Sequence, residues 1–191
     1  MKPWLRYTLA VALGLVAGLG GAAYTVRSGA LGSGQSIGPW RTGADFGTAE
    51  ASARTRAVVA MAGLLALPAR EARYYTAVTD DAGAALDGRC RYRVTGGNLP
   101  ARWWSLTLYD AAGYLVPNDA DRFSVPGAAL APGERSSWTI RVAPDRQTGH
   151  WLPTGGIDAF ALTLRAYLPP DGGKGTPPRA ALPSIVKEGC A

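Results

Sequence analysis

From about residue 74 onward, apolar and polar residues alternate along short runs of the chain. Segment 102–110, "RWWSLTLYD", is the clearest case. Successive side chains of an extended strand point to opposite faces, so the segment has two faces. Its apolar face carries Trp104, Leu106 and Leu108. Its other face carries Trp103, Ser105, Thr107 and Tyr109. The pattern predicts a β-strand with one buried face and one polar face.

Four further segments show the same alternation. They are 74–79, 88–94, 137–142 and 159–168. Turns rich in Gly, Pro, Asn and Asp separate them. Short strands with one apolar face are typical of antiparallel sheets packed face to face. We therefore predict a mainly β protein, an antiparallel β-sandwich.

One soluble helix is predicted over residues 48–67. Thr48 is a suitable N-cap residue, and Pro68 is expected to end the helix. An apolar stripe at helical spacing follows from Val58, Met61, Ala62 and Leu65. This helix would flank the sandwich.

The N-terminus contains an apolar segment long enough to cross a bilayer. Residues 8–26 carry no charge, whereas Lys2 and Arg6 precede them. The positive-inside rule then places the N-terminus in the cytoplasm and the rest of the chain outside. A cleaved signal peptide is the alternative, because small residues precede Tyr24. We favour an uncleaved, single-pass signal-anchor in the cytoplasmic membrane, with the C-terminal domain in the periplasm or an equivalent envelope compartment.

Three regions follow from these assignments. Residues 1–27 form the membrane anchor or signal segment, 28–47 form a tether rich in Gly and Ser, and 48–191 form the helix and sandwich domain. Trp40 and Phe46 indicate that the later part of the tether packs back on the domain. The chain is long enough for one ordinary domain and this appendage.

Two cysteines, Cys90 and Cys190, lie beyond the membrane segment. An exported location permits a disulfide between them, which would tie the C-terminal tail to a strand. Two unrelated thiols are the alternative. The location favours the disulfide.

The sequence resembles a known family, the domain of unknown function family numbered 1214. The resemblance rests on "LDGRCRYRVTGGNLPARWWSLTLYDAAGYLVPNDADRFSV", on "HWLPTGGIDAFALTLRAYLPP" and on the closing "LPSIVK". It covers roughly residues 70 to 188, and the preceding "GPWRTG" and helix resemble short, membrane-anchored bacterial members. The resemblance implies a β-sandwich of jelly-roll type. It implies no established activity and no catalytic residues, and longer relatives carry a second domain.

The strongest candidate for a binding surface is the polar face of two consecutive strands. If segments 89–95 and 102–109 pair, their polar faces bring together Arg89, Arg91, Arg93, Trp103 and Tyr109. Arginine binds carboxylates and phosphates through forked hydrogen bonds, and aromatic faces stack on sugars or guanidinium groups. A purely structural, wet sheet face is the competing interpretation.

Other chemistry has weaker support in the sequence. The loop "PNDADRFS" (117–124) has carboxylate and amide oxygens, but such residues also form turns, and the loop lacks the spacing of a calcium site. His150 is the only histidine, which excludes a histidine-cluster metal site within one chain. Neither a nucleophile elbow nor a phosphate-binding loop is present. We expect no metal or cofactor.

The net charge of +6 comes mostly from single, dispersed arginines, so a nucleic-acid partner is not expected. We favour a non-catalytic binding or accessory module of the bacterial envelope, whose partner is an anionic glycan or a protein. One alternative is a hydrolase acting on envelope polysaccharide with aspartates as acid and base. Another is a structural protein whose Arg–Trp face meets a second domain on another chain.

Overall fold

The computed structural model describes residues 2–27, 34–43, 51–61, 67–170, 172–173 and 175–190. The chain forms a long N-terminal helix, a short second helix and two β-sheets that pack as a sandwich. The helices are α1 (Pro3–Arg27) and α2 (Ala53–Met61). The strands are β1 (Gly34–Ile37), β2 (Trp40–Gly43), β3 (Ala72–Ala77), β4 (Cys90–Gly96), β5 (Trp103–Asp110), β6 (Ser124–Pro126), β7 (Trp138–Ala143), β8 (His150–Pro153), β9 (Phe160–Tyr167) and β10 (Ser184–Cys190).

The larger sheet has the strand order β1-β2-β3-β9-β5-β6, and the smaller sheet has the order β10-β4-β7-β8. All pairs are antiparallel except β7 and β8. Residues 144–149 double back along β7, so that His150 pairs with Ile140 and the two strands run in the same direction. The predicted mainly β sandwich is confirmed, with this one parallel exception to the antiparallel prediction.

The apolar faces of the strands form the core between the two sheets. Leu106, Leu162, Leu164 and Ile140 are fully buried there. The rings of Trp104 in β5 and Trp138 in β7 stack across the interface, with centroids 4.8 Å apart. The predicted buried face of segment 102–110 is confirmed, because Trp104, Leu106 and Leu108 are all buried.

The polar face of β5 is not exposed to solvent along its whole length. Ser105 and Thr107 are buried, whereas Trp103 is 42% exposed. Thr107 accepts a hydrogen bond from the Arg165 side chain, which lies over it. The expected alternation of faces is therefore correct. The middle of the polar face, at Ser105 and Thr107, is nevertheless buried.

Part of the predicted tether belongs to the sandwich. Residues 34–43 form the β1–β2 hairpin, which joins the larger sheet through β3. Trp40 in this hairpin is fully buried, and its indole N–H donates to the Pro183 carbonyl at 2.7 Å. The folded part therefore begins before the expected boundary at residue 48. Phe46 lies outside the described residues.

The second helix begins later than expected. Residues 51 and 52 are not helical, and the Ser52 hydroxyl caps α2 by accepting the Thr55 backbone N–H at 3.1 Å. Thr48, the predicted cap, lies outside the described residues, as do the side chains of the predicted apolar stripe. The helix near residues 48–67 is confirmed, but its described part runs only from Ala53 to Met61.

Cys90 and Cys190 form a disulfide in the structure. The two residues lie directly opposite each other at the paired ends of β4 and β10. The bridge therefore fixes the end of the edge strand β10 to its neighbour.

Candidate functional site

The outer face of the larger sheet is built by β3, β9 and β5. The strand register places Arg165 between Tyr74 and Ser105, and it places Tyr167 beside Trp103. Two residues before Arg165 in β9, on the same face, Thr163 lies between Thr76 and Thr107. Three strands that are distant in sequence therefore bring an arginine, several aromatic rings and a row of hydroxyl groups onto one surface, which we call the Arg165 face. Its residues are Tyr74, Thr76, Trp103, Thr107, Tyr109, Thr163, Arg165 and Tyr167.

Arg165 is the central charge of this face. Its half-buried guanidinium donates to Thr107 Oγ1 at 3.0 Å and to the Tyr109 hydroxyl. The guanidinium carbon also lies 5.3 Å from the centroid of the Tyr109 ring, within cation–π range. None of the ion pairs that the described residues form includes Arg165. Its charge is thus held by neutral partners.

Aromatic side chains surround the arginine. The rings of Trp103 and Tyr167 meet edge to face with centroids 5.2 Å apart. Burial raises the pKa of Tyr74, an effect that the hydrogen bond its phenolic oxygen accepts from the Leu67 backbone N–H opposes. Tyr74 is therefore a neutral phenol at physiological pH. The surface offers rigid aromatic edges around one cation.

The predicted pairing of segments 89–95 and 102–109 is wrong. β4 belongs to the smaller sheet and β5 to the larger sheet, so the polar faces of the two strands look away from each other. The predicted binding set is therefore divided. Arg91 and Arg93 lie on the outer face of the smaller sheet, whereas Trp103 and Tyr109 lie on the Arg165 face.

The arginines of the smaller sheet share an acidic partner. Arg93 Nε lies 2.8 Å from Glu188 Oε1, and Arg141 Nη1 lies 3.7 Å from Glu188 Oε2. One carboxylate thus bridges two neighbouring strands, while Arg91 is exposed beside it. Exposed pairs of this kind contribute little to stability.

Arg89 lies in the turn before β4 and is held by acidic groups. Its guanidinium donates to both oxygens of Asp87, at 2.9 Å and 2.7 Å, and it lies 3.6 Å from Asp158. These bonds from Arg89 lower the pKa of Asp87 to about 2. Arg89 therefore stabilises the turn and does not join either of the two faces.

The Asx-rich loop is organised by its own turn bonds. Asn118 donates to the carbonyls of Val116 and Arg122 and accepts the Arg122 backbone N–H at 3.0 Å. In the described part of the chain, no group of three or more His, Cys, Asp or Glu residues is arranged to hold a metal ion. His150 lies 3.2 Å from Glu134, whose pKa is lowered by the Ala131 backbone N–H and then by His150.

A family model described as "Protein of unknown function (DUF1214)" matches residues 71–171, which is more than half of the chain. The chain belongs to this family. The matched region of the DUF1214 chain runs from the residue before β3 to just beyond β9, so it contains every strand that builds the Arg165 face. The predicted resemblance is confirmed.

Two solved structures resemble this DUF1214 chain. The VPA0106 protein from Vibrio parahaemolyticus is 22% identical with a TM-score of 0.56, and the match covers 70% of this chain and 35% of that one. An uncharacterised protein from Burkholderia cenocepacia is 22% identical with a TM-score of 0.38, covering 61% of this chain and 28% of that one. The chain thus spans about a third of the VPA0106 protein, and this likeness shows the fold alone. No curated protein matches the chain.

The alternation of segment 159–168 places Arg165 and Tyr167 on the face opposite Phe160, Leu162 and Leu164, but the sequence does not assign them to a site. Their strand pairs with β3 and β5, which lie far away in sequence. The alternation shows which face a residue occupies, but it does not show which strands are neighbours. The unpaired arginine among aromatic residues becomes visible only in the folded sheet.

Proposed function

We propose that this chain is a non-catalytic binding module, held at the outer side of the cytoplasmic membrane by α1, and that the Arg165 face binds an anionic glycan. The observation that carries the proposal is a half-buried guanidinium whose hydrogen-bond partners are neutral hydroxyl groups. A carboxylate ligand would supply the missing countercharge through strong charge-assisted hydrogen bonds. Trp103 and Tyr109, from the sequence-predicted set, belong to this face.

The aromatic residues favour a glycan over a small inorganic anion. Trp103 remains 42% exposed although it packs against Tyr167, so one large ring edge is available to a ligand. Apolar faces of sugar rings pack on such surfaces, while the half-buried Thr76 hydroxyl, which also bonds the buried Thr163 hydroxyl, offers an additional hydrogen bond. The combination suits a repeating sugar that carries a carboxylate.

The hydrolase alternative draws on aspartates that have structural roles here. Asp80 Oδ1 accepts the backbone N–H groups of Ala82 and Ala84 at 3.0 Å and 2.9 Å. Asp110 Oδ1 does the same in the turn after β5, and Asp87 is held by Arg89. These bonds explain the positions of the three carboxylates without catalysis, so the binding module is the better supported function.

The test compares two forms of one polymer. The full chain in a neutral detergent is titrated with polygalacturonate and with its methyl ester, which has the same backbone without the negative charges. We expect Arg165→Met to weaken polygalacturonate binding by roughly ten-fold or more, the loss expected for a charge-assisted hydrogen bond. Trp103→Ala should weaken it by several-fold through lost contact area.

Arg91→Met is the matched control, because it removes an exposed arginine from the opposite face of the sandwich. It should leave the affinity unchanged. Equal binding of the polymer and its methyl ester would contradict the proposal, as would equal binding by the Arg165 and Arg91 variants. Thermal unfolding of each variant checks that the fold is intact.

A further inference from the structure

A second candidate site lies between the sheets rather than on their outer surface. At the end of the larger sheet where β3 begins and β9 ends, a pocket of about 310 Å³ opens beside the core. Its size is at the lower end of the range for small-molecule sites. Its walls are mostly apolar and include Tyr75, Leu99, Pro100, Ala166, Pro169 and Leu182.

Among the described residues that line this apolar pocket, Arg73 is the charged one. The register pairs Arg73 with Ala166 and Tyr75 with Leu164, so Arg73 lies on the inner face of β3, where the neighbouring side chains are apolar. Only 5% of Arg73 is exposed. Arg73 therefore occupies a position of β3 that faces the core.

The guanidinium of Arg73 is incompletely satisfied. Its two terminal nitrogens donate to the carbonyls of Gly173 and Gly175, at 2.6 Å and 3.3 Å, and its Nε has no hydrogen-bond partner among the described residues. None of the ion pairs among the described residues includes Arg73. A buried charge ordinarily requires a countercharge and full hydrogen bonding, because its removal from water is costly.

We propose that this pocket binds an amphiphile that carries one anionic group, a carboxylate or a phosphate, on an apolar chain. The anionic group pairs with the guanidinium of Arg73, and the chain lies against the apolar walls. This arrangement matches the usual composition of a ligand site, in which apolar walls surround a few placed polar groups. The pocket and the Arg165 face lie on opposite sides of β3 and β9, so the inference is independent of the glycan proposal.

The position of the pocket suggests where the ligand comes from. Thr176, in the loop that lines the pocket, hydrogen-bonds Gln35 at the start of β1. Seven residue steps separate Gly34 from the end of α1 at Arg27, a span of at most about 25 Å in a fully extended chain. If α1 lies in a membrane, the pocket is within reach of its lipids. The ligand is then either a phospholipid of that membrane or a free fatty acid.

Native mass spectrometry of the full chain, released from dodecyl maltoside micelles, tests the proposal. The probes are dodecanoate and phosphatidylglycerol, and the neutral controls are dodecanol and phosphatidylcholine. We expect one bound anionic amphiphile and no retention of the neutral probes. Retention of phosphatidylglycerol would identify membrane lipid as the source, whereas retention of dodecanoate alone would identify free fatty acid.

Two variants locate the site. Arg73→Met removes the charge, and Thr176→Trp blocks the pocket from an exposed loop position without changing the core. Each should reduce dodecanoate or phosphatidylglycerol retention by at least about ten-fold. Arg91→Met and Thr139→Trp, on the outer face of the smaller sheet, are the matched controls and should retain the probe as the wild type does.

A diazirine-bearing dodecanoate gives a readout that does not depend on the variants. Its crosslinks should map to peptides around residues 99–101 and 166–182. The proposal is overturned if neither anionic probe is retained, if dodecanol is retained equally, or if the crosslinks lie elsewhere. Should Arg73→Met fail to fold, wild-type retention by Thr176→Trp would also overturn it. Arg165→Met, the glycan variant, should retain dodecanoate normally, so each proposal fails separately.

Discussion

At the scale of single residues, the contact between the two sheets depends on a pair of stacked tryptophans and the glycines beside them. Trp104 and Trp138 stack with their planes 27° apart. Gly127 lies against the ring of Trp104, and Gly96 lies against the ring of Trp138. The Trp138 indole N–H donates to the Gly97 carbonyl at 2.8 Å, which fixes the ring in place. Each glycine leaves the space that an indole ring occupies.

Replacement of Gly96 should therefore destabilise the fold. In Gly96→Ala the new Cβ would overlap the six-membered ring of Trp138, and neither the strand nor the bonded indole can move freely. We expect a loss of about 1–3 kcal/mol in the free energy of unfolding, the usual cost of overpacking. Urea unfolding followed by tryptophan fluorescence measures it. Gly133→Ala is the control, since a Cβ at Gly133 meets no atom within 4 Å.

Single-residue predictions from the sequence succeeded where local geometry alone decides them. The side of the strand on which Trp104 lies follows from the period of two, and the structure confirms it. The burial of Thr107 could not be predicted, because Arg165 covers it from a strand more than fifty residues away. The site is made of such contacts between distant strands. The sequence therefore indicated which types of residue form the site, but not which individual residues lie together in it.

At the scale of elements, β10 is an edge strand that pairs, among the described strands, with β4 alone. The pairing contains an irregularity between Lys187 and Gly189, and most of the strand is exposed. Its end is held by the disulfide, which joins residues 100 positions apart in sequence. The bridge therefore compensates for weak packing at the edge of the smaller sheet.

Reduction of the disulfide should weaken the fold and loosen β10 in particular. Closure of a loop of this length contributes roughly 4–5 kcal/mol in the chain-entropy model. We expect the unfolding midpoint to fall on reduction, with faster amide hydrogen exchange in Ser184–Cys190 than in Phe160–Tyr167, which pairs on both sides. Equal protection of β10 before and after reduction would contradict this role. Air reoxidation of the same sample is the control.

Element boundaries and strand neighbours show why part of the fold escaped prediction. Trp40 packs back on the domain as predicted, but the linker-like composition of 28–47 did not show that residues 34–43 form a hairpin of the sheet. β4 and β5 follow one another in sequence but lie in different sheets, because the chain crosses the sandwich at residues 97–102. Strand existence follows from local alternation, whereas strand pairing depends on the packing of the whole sandwich.

At the scale of the whole molecule, the helix α1 differs from the sandwich in being exposed at every residue as far as Tyr24. Residues Pro3–Tyr24 have a mean hydropathy of 1.5 in their most apolar window, and none of that window is buried. By length and composition this helix could cross a membrane, a test that signal sequences also pass. Among the described elements, α1 contacts α2.

Retention of α1 decides between an anchor and a cleaved signal, and it also decides whether the Arg73 pocket lies near lipid. Lys2 and Arg6 before the helix predict that the N-terminus stays in the cytoplasm and the sandwich lies outside. We expect the chain to remain in membranes after extraction at alkaline pH, with residues 2–6 recovered by peptide mapping.

A C-terminal alkaline phosphatase fusion should be active, and Lys2→Glu with Arg6→Glu should reduce its activity because the orientation signal is lost. A soluble chain that begins at Tyr24 would instead show signal cleavage, and the pocket's ligand would then have to be a free amphiphile.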